Sequence, residues 1–112
     1  MNKINRREFI GAAAVAGAAF LSIPRTAFAA ADVALEEATV ASLQAAMTSG
    51  RTTAKKITQG YLARIAKIDK SINSIIELNP DALAIAEQMD RERKAGKVRG
   101  PLHGIPVVIK DN

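Results

Sequence analysis

The residue of this 112-residue sequence best placed for chemistry is Lys110, which directly follows the β-branched run Val107–Ile109. Such a run predicts a strand buried in a sheet that is covered on both faces. Lysine is ordinarily protonated at neutral pH, but burial disfavours the charged form and leaves an amine that accepts a proton. Lys110 is therefore a candidate general base. The alternative is a lysine at a strand end that extends to water.

The segment 100–106, which precedes this run, has glycine or proline at four of its seven positions and contains the only histidine, His103. Glycine and proline at this density predict turns. The sequence contains no GxGxxG or Walker pattern, so no nucleotide is expected. We expect His103 to bond backbone groups and support the loop rather than to act directly in catalysis. Asp111 could either hydrogen-bond near the lysine or cap a loop.

The composition excludes several classes of protein. With no cysteine and one histidine, the chain has neither a disulfide framework nor a Cys/His zinc site, and we expect no metal and no cofactor. A chain of 112 residues allows one small domain at most. Charged residues make up 24% of the chain and hydrophobic residues 48%, which excludes a disordered protein.

The net charge of +5 is concentrated near the N-terminus, where the first 29 residues carry four basic side chains and one acidic side chain. The remaining residues have a balance of only +2 and contain a single aromatic side chain, Tyr61, which is too few for a base-stacking surface. We therefore expect no nucleic-acid partner.

Residues 1–29 have the three-part order of a secretory signal peptide. A basic segment, 1–10, precedes the uncharged, Ala- and Gly-rich run Gly11–Ile23, and the small residues Ala27 and Ala29 predict cleavage after Ala29. The apolar run is too short for an ordinary transmembrane helix, so no stable membrane anchor is expected.

The predicted signal peptide resembles the twin-arginine type. Arg6 and Arg7 precede the bulky pair Phe9-Ile10, the apolar run is only mildly hydrophobic, and Arg25 disfavours the general secretory route. We expect export to the periplasm or the medium, with the twin-arginine machinery and a signal peptidase as partners.

Three amphipathic helices are predicted in the remaining residues, 30–112. Apolar residues at helical spacing place two of them at Thr39–Thr48 and Ala54–Ile68, and a third starts at Asn79-Pro80-Asp81 and stops at Gly96. Between the second and third, Asp69–Ser71 is predicted as a turn and Ile72–Leu78 as a short strand.

The segment Gly100–Asn112 closely resembles the N-terminal motif of amidase signature enzymes. This family includes broad amidases, fatty acid amide hydrolases and the A subunit of glutamyl-tRNA amidotransferase. The resemblance extends from about Thr39 to Asn112, and the upstream segments that carry it are Tyr61–Ile65, Ile72–Ser74, Ala82-Leu83 and Ala86–Asp90.

The resemblance implies an α/β fold, in which a mixed sheet is covered by helices in an α/β/α arrangement. Residues 30–112 would be its N-terminal portion, with the rest of the domain downstream. It also implies a Ser–cis-Ser–Lys triad in which Lys110 matches the lysine. Both serines belong to a region further along the family's chain, so we expect no serine of this sequence to take either role and the sequence by itself to be inactive.

The activity implied is hydrolysis of a small-molecule amide to a carboxylate and ammonia or an amine. One alternative is the amidotransferase A subunit, which shares the motif but works with cytoplasmic tRNA, so that the export signal argues against it. A second is a small exported helical module that binds a partner without catalysis, and a third is an inactive family member. Substrate identity and oligomeric state are not determined by the sequence.

Overall fold

The computed structural model describes residues 33–110, which form three helices and a C-terminal loop. The helices are α1 (Val40–Thr48), α2 (Ala54–Ile72) and α3 (Ala82–Lys94). The predicted signal peptide and Asp111 lie outside the described residues. None of the helices in residues 33–110 combines the length and the apolar character needed to cross a membrane.

Helix α1 begins where the sequence predicts, because Thr39 and Ser42 form a reciprocal cap. The Thr39 hydroxyl accepts from the Ser42 N–H at 3.1 Å, and the Ser42 hydroxyl accepts from the Thr39 N–H at 3.0 Å. This arrangement satisfies two backbone donors that have no partner within the helix. The face of α1 that carries Leu43 and Met47 is buried, as its spacing predicts.

Helix α2 begins at its predicted residue and ends one turn later than predicted. Thr53 is the N-cap, and its side chain accepts from the Lys56 N–H at 3.1 Å. At the other end, Asn73 takes a left-handed conformation with φ of 52°, and the Asp69 carboxylate accepts from the Ser74 N–H at 2.8 Å. The predicted turn at Asp69–Ser71 is therefore helical.

The predicted strand Ile72–Leu78 is wrong. Ile72 closes α2, and residues 73–80 form an irregular connection in which Ile76 is 92% exposed. The cause is the Asp69 carboxylate, which also accepts from the Ile75 N–H at 3.2 Å. It thereby bonds backbone donors that a strand would need for its ladder.

Helix α3 begins at the predicted Asn-Pro-Asp start and stops before the predicted glycine. The Asn79 side-chain oxygen accepts from the Asp81 N–H at 2.9 Å, which closes a turn just before the first helical residue. Gly96 follows the helix with φ of +74°, a conformation in which glycine is favoured.

The core lies where the three helices meet, and helix α2 packs along α3. Its buried members come from all three helices: Leu43, Met47, Ala54, Ile57 and Ala86. The segment 33–38 closes one side of the core, because the Tyr61 hydroxyl donates to the Leu35 carbonyl at 3.1 Å.

The described residues contain no strand, so the predicted sheet is not seen in 33–110. The run Val107–Ile109, predicted as a buried strand, forms neither strand nor helix, and its side chains are 65%, 79% and 85% exposed. A strand is stabilised by hydrogen bonds to a neighbouring strand, and residues 33–110 provide none for this run. The regular structure of residues 33–110 is therefore helical, and the sheet stays a prediction.

Candidate functional site

The candidate site is built on residues 99–106, a loop that lies across all three helices and leads into the irregular segment 107–110. Two successive turns shape it: the His103 N–H donates to the Gly100 carbonyl at 3.1 Å, and the Ile105 N–H donates to the Leu102 carbonyl at 3.0 Å. The turns predicted from glycine and proline are thus confirmed. We call residues 99–106 the motif loop.

His103 is buried in the motif loop, with 5% of its surface exposed, and both ring nitrogens have backbone partners. Nδ1 accepts from the Arg99 N–H at 3.3 Å, and Nε2 lies 2.9 Å from the Met89 carbonyl oxygen. Because a carbonyl oxygen only accepts, Nε2 carries the hydrogen and the ring is the neutral Nε2–H tautomer. The predicted supporting role of His103 is confirmed, since neither nitrogen is available to a substrate.

Two side chains from different helices hold the backbone of the motif loop. Gln44 on α1 donates through Nε2 to the Pro101 carbonyl at 2.7 Å and to the His103 carbonyl at 3.0 Å. Arg93 on α3 donates through one guanidinium nitrogen to the Gln44 side-chain oxygen at 2.6 Å and to the His103 carbonyl at 3.1 Å. We call this pair the Gln44–Arg93 bridge.

The Gln44–Arg93 bridge is not predicted by the sequence. Gln44 lies 59 positions from His103, and its partners in the loop are backbone oxygens, which every residue possesses. A sequence pattern therefore carries no signal for these contacts. The one feature of the sequence that is consistent with the bridge is the position of Gln44, a polar residue between the apolar positions of α1.

Gly104 brings the motif loop into close contact with the helices. It has φ of +78°, and a Cβ atom at this position would lie 2.9 Å from the Ala54 Cβ and 3.4 Å from the Met47 sulfur. Glycine is required both by the left-handed backbone and by the close approach.

An ion pair closes the start of the motif loop onto α3. Arg99 donates through Nε to a Glu92 carboxylate oxygen at 2.7 Å, and its Nη2 donates to the other oxygen. These bonds from the guanidinium, together with its charge, hold the pKa of Glu92 at about 2, against an ordinary value of 4.5. The same hydrogen bonds raise the pKa of Arg99.

Beside the motif loop, an open and largely apolar cleft of about 580 Å³ lies between the loop and α3. Its lining includes Ile85 and Met89 from the helix and Leu102, Pro106 and Val107 from the loop side. Lys110 is exposed and does not line the cleft; it lies at the end of the irregular segment that follows the motif loop. Residues 33–110 contain no group of three His, Asp or Glu side chains that could hold a metal ion.

The arrangement is an anchored loop followed by an irregular segment that ends at a lysine. The amidase family model matches residues 56–112, which include the whole motif loop and Lys110. This chain belongs to the amidase family.

Among solved structures, the native peptide amidase from Stenotrophomonas maltophilia is similar, with 53% identity and a TM-score of 0.61 over 62% of this chain and 15% of that one. A Schizosaccharomyces pombe protein named as an amidase is 46% identical over 81 residues, covering 72% of this chain and 14% of that protein. The A subunit of the glutamyl-tRNA(Gln) amidotransferase of Chloroflexus aurantiacus is 44% identical over 78 residues, which cover 69% of this chain and 16% of that protein. The chain thus spans between 14% and 16% of the length of these three proteins.

Proposed function

We propose that this chain is the N-terminal part of an exported amidase that hydrolyses a carboxylic amide to a carboxylate and ammonia or an amine. The observation that carries the proposal is the family match over residues 56–112, which includes the complete motif Gly100–Asn112. The similarity to a peptide amidase supports hydrolysis of an amide bond. The predicted signal peptide, residues 1–29, supports export.

In the proposed mechanism, Lys110 is the general base of a Ser–cis-Ser–Lys triad whose serines come from the remainder of the enzyme. The serine hydroxyl attacks the amide carbon, and its proton passes through the bridging serine to the neutral lysine amine. When the tetrahedral intermediate collapses, the C–N bond breaks and the departing nitrogen takes up that proton. Water then hydrolyses the acyl-enzyme by the same proton route, releasing the carboxylate.

The role of Lys110 depends on its surroundings in the complete enzyme. In residues 33–110 the lysine is exposed, and the apolar run before it has no neighbouring strand. Pairing of Val107–Ile109 within a sheet would withdraw Lys110 from water, which favours the uncharged amine that a base requires.

The proposal is tested by assaying the full-length protein on simple amides and short amidated peptides. Lys110→Ala should lower kcat by several orders of magnitude, on the order of 10³-fold or more, because the proton acceptor is removed. Lys110→Arg should be equally inactive, since a guanidinium keeps the positive charge but does not release its proton. Lys97→Ala, at an exposed lysine, is the matched control and should retain wild-type activity.

If Lys110→Ala kept activity within about tenfold of wild type, the lysine would not be the base. If the full-length protein hydrolysed no amide, the hydrolase proposal itself would be wrong.

A second candidate function is that of an amidotransferase A subunit, which the 44% identity to such a protein supports. Cell fractionation separates the two candidates, because an A subunit works with tRNA in the cytoplasm. We expect the mature protein outside the cytoplasm, with an N-terminus at Ala30, and we expect replacement of both Arg6 and Arg7 by lysine to block its export. A cytoplasmic protein with an intact N-terminus would favour the amidotransferase.

A further inference from the structure

We propose that Gln44 and Arg93 are positioning residues for Lys110, which they serve by holding the motif loop from which the lysine-bearing segment starts. This inference rests on the proposed function. It assigns a role in the reaction to two side chains that lie on helices and act through backbone carbonyls of the loop.

Two carbonyl groups of the motif loop accept several side-chain hydrogen bonds. The Pro101 carbonyl accepts one side-chain hydrogen bond, and the His103 carbonyl accepts two, one from Gln44 and one from Arg93. The two side chains also bond to each other at 2.6 Å, which fixes the rotamer of each. The loop backbone is therefore held from α1 and α3 together, and a shift of either helix is resisted by the other.

Arg93 has an unusual set of hydrogen-bond partners. This side chain is half-buried, and the hydrogen-bond acceptors it has among the described residues are oxygen atoms of neutral groups, an amide and a carbonyl. Its neighbour on the same helix, Glu92, pairs with Arg99 instead. Half-burying a guanidinium without a carboxylate partner is costly. The placement of Arg93 therefore indicates that this side chain serves to hold the loop backbone in position.

The bridge is connected to the lysine along the chain. Gly104 is wedged against Ala54 and Met47 immediately after the bridged carbonyl, and residues 105–110 follow without helix or turn. In a strand, successive side chains point to opposite faces, so a slip of one residue turns every side chain to the other face. In the complete enzyme, where Val107–Ile109 is proposed to pair within a sheet, anchoring residues 101–104 fixes the register of this run and therefore the face on which Lys110 lies.

The test uses the full-length enzyme and compares variants that remove different parts of the bridge. Gln44→Leu removes both donors and the acceptor, Gln44→Glu keeps an acceptor for Arg93 but loses the donors, and Arg93→Lys keeps a charge but loses the planar fork. Gln59→Leu and Arg91→Lys are the matched controls, because both residues are exposed on the same class of helical surface.

We expect Gln44→Leu and Gln44→Glu to lower kcat on the order of 100-fold, the loss that displacement of a catalytic group by about 1 Å can cause, with KM little changed. Arg93→Lys should lower kcat about tenfold, since the ammonium still donates hydrogen bonds but lacks the fixed planar geometry of the guanidinium. The acidic limb of the kcat–pH profile should move to higher pH, because a displaced lysine is more accessible to water. Both controls should match wild type in every readout.

A purely structural role would lower the melting temperature while leaving kcat per folded molecule and the pH profile unchanged, and that result would overturn the inference. If Gln44→Leu does not fold, the positioning role is tested on Gln44→Glu and Arg93→Lys by kcat per folded molecule, the pH profile and the melting temperature. The two proposals fail separately. An active Lys110→Ala enzyme rejects the general-base assignment, whereas an inactive Lys110→Ala enzyme with wild-type bridge variants rejects the positioning role alone.

Discussion

Gly104 lies so close to Ala54 that a Cβ atom on the glycine would stand 2.9 Å from the Cβ of the alanine. Real Cβ atoms essentially never approach another atom so closely, and the alanine Cβ cannot turn aside as the end of a long side chain could. This contact presses the motif loop onto the first turn of α2. It therefore explains why glycine stands at this position of the motif.

We predict that Gly104→Ala destabilises the protein through both strain and overlap. The positive φ costs about 1 kcal/mol for a residue with a Cβ, and the overlap with Ala54 adds about 2 kcal/mol. Gly96→Ala is the matched control, because Gly96 has φ of +74° but no atom within 4 Å of its Cβ position. The loss of unfolding free energy in this variant therefore comes from backbone strain alone. Urea unfolding of the full-length protein measures the free energy of unfolding of both variants. Equal decreases in Gly104→Ala and Gly96→Ala would contradict the steric role of Gly104.

A second prediction concerns the tautomer of His103. Nitrogen-15 NMR at neutral pH should show a protonated Nε2 and an unprotonated Nδ1, because Nε2 donates to the Met89 carbonyl and Nδ1 accepts from the Arg99 N–H. Loss of the signals in His103→Gln identifies them. A protonated Nδ1 would contradict the arrangement.

Substitution of His103 should separate its two contacts. In His103→Gln the amide can reach the Met89 carbonyl, and in His103→Asn it can accept from the Arg99 N–H. Each variant should therefore lower the free energy of unfolding, measured in urea, by about 1–2 kcal/mol. His103→Ala keeps neither contact and should lower it further. Leu102→Ala, at the 57% exposed neighbour, is the control and should be close to neutral.

A third prediction concerns Asp90, which connects α3 to the start of α2. Its carboxylate accepts from the Ala54 N–H at 2.7 Å and from the Lys55 N–H at 3.0 Å, two donors that have no partner within their own helix. Asp90→Ala should lower the free energy of unfolding by about 2 kcal/mol, and Asp90→Asn by about half of that, because the amide oxygen still accepts. Asp81→Ala is the control: Asp81 precedes α3 without a side-chain cap bond and should lose only about 0.5 kcal/mol.

The fourth prediction is a pH dependence of stability that comes from Glu92. The Arg99 guanidinium holds the pKa of Glu92 at about 2 in the folded protein, below its ordinary value of 4.5. The stabilisation is therefore fully present above about pH 4.5 and is lost as the pH falls towards about 2, because the unfolded chain takes up the proton first.

Glu92→Gln removes this contribution, so the difference in urea midpoint between wild type and variant should shrink from about pH 6 to about pH 2.5. It should also shrink at high salt, since Arg99 is exposed and the pair is screened. Glu87→Gln, which removes the exposed pair with Lys55, serves as the control. A constant difference across the pH range would contradict the role of Glu92.

The three helices could be predicted from sequence because their signals are local. The signals are the Thr39 cap, the Thr53 cap, the Asn79-Pro80-Asp81 start, and Gly50 and Gly96, which follow helices with positive φ; each acts within a few residues of itself. The supporting role of His103 was also predictable, because a histidine between the turns of a Gly/Pro-rich loop has backbone groups within reach. The resemblance to amidase signature enzymes came from the same short segment, and the family match confirms it.

Strand formation could not be decided in this way, and neither predicted strand is present in residues 33–110. Ile72–Leu78 has the composition of a strand, but the Asp69 carboxylate extends α2 and bonds the backbone donors that follow it. Val107–Ile109 has the composition of a buried strand, yet its pairing and burial depend on neighbours that residues 33–110 do not supply. A strand is stabilised by a partner distant in sequence, whereas a helix satisfies its own backbone.

The sequence by itself determined the helical segments, the turns of the motif loop, the family and the one candidate for the general base, Lys110, because each rests on residue types within a short window. The tertiary structure alone decided which side chains hold the loop: Gln44 and Arg93 are 49 positions apart and meet at backbone oxygens that no residue type encodes. It also decided that Gly104 is required for space as well as for conformation, because Ala54 reaches it only once the helices have packed.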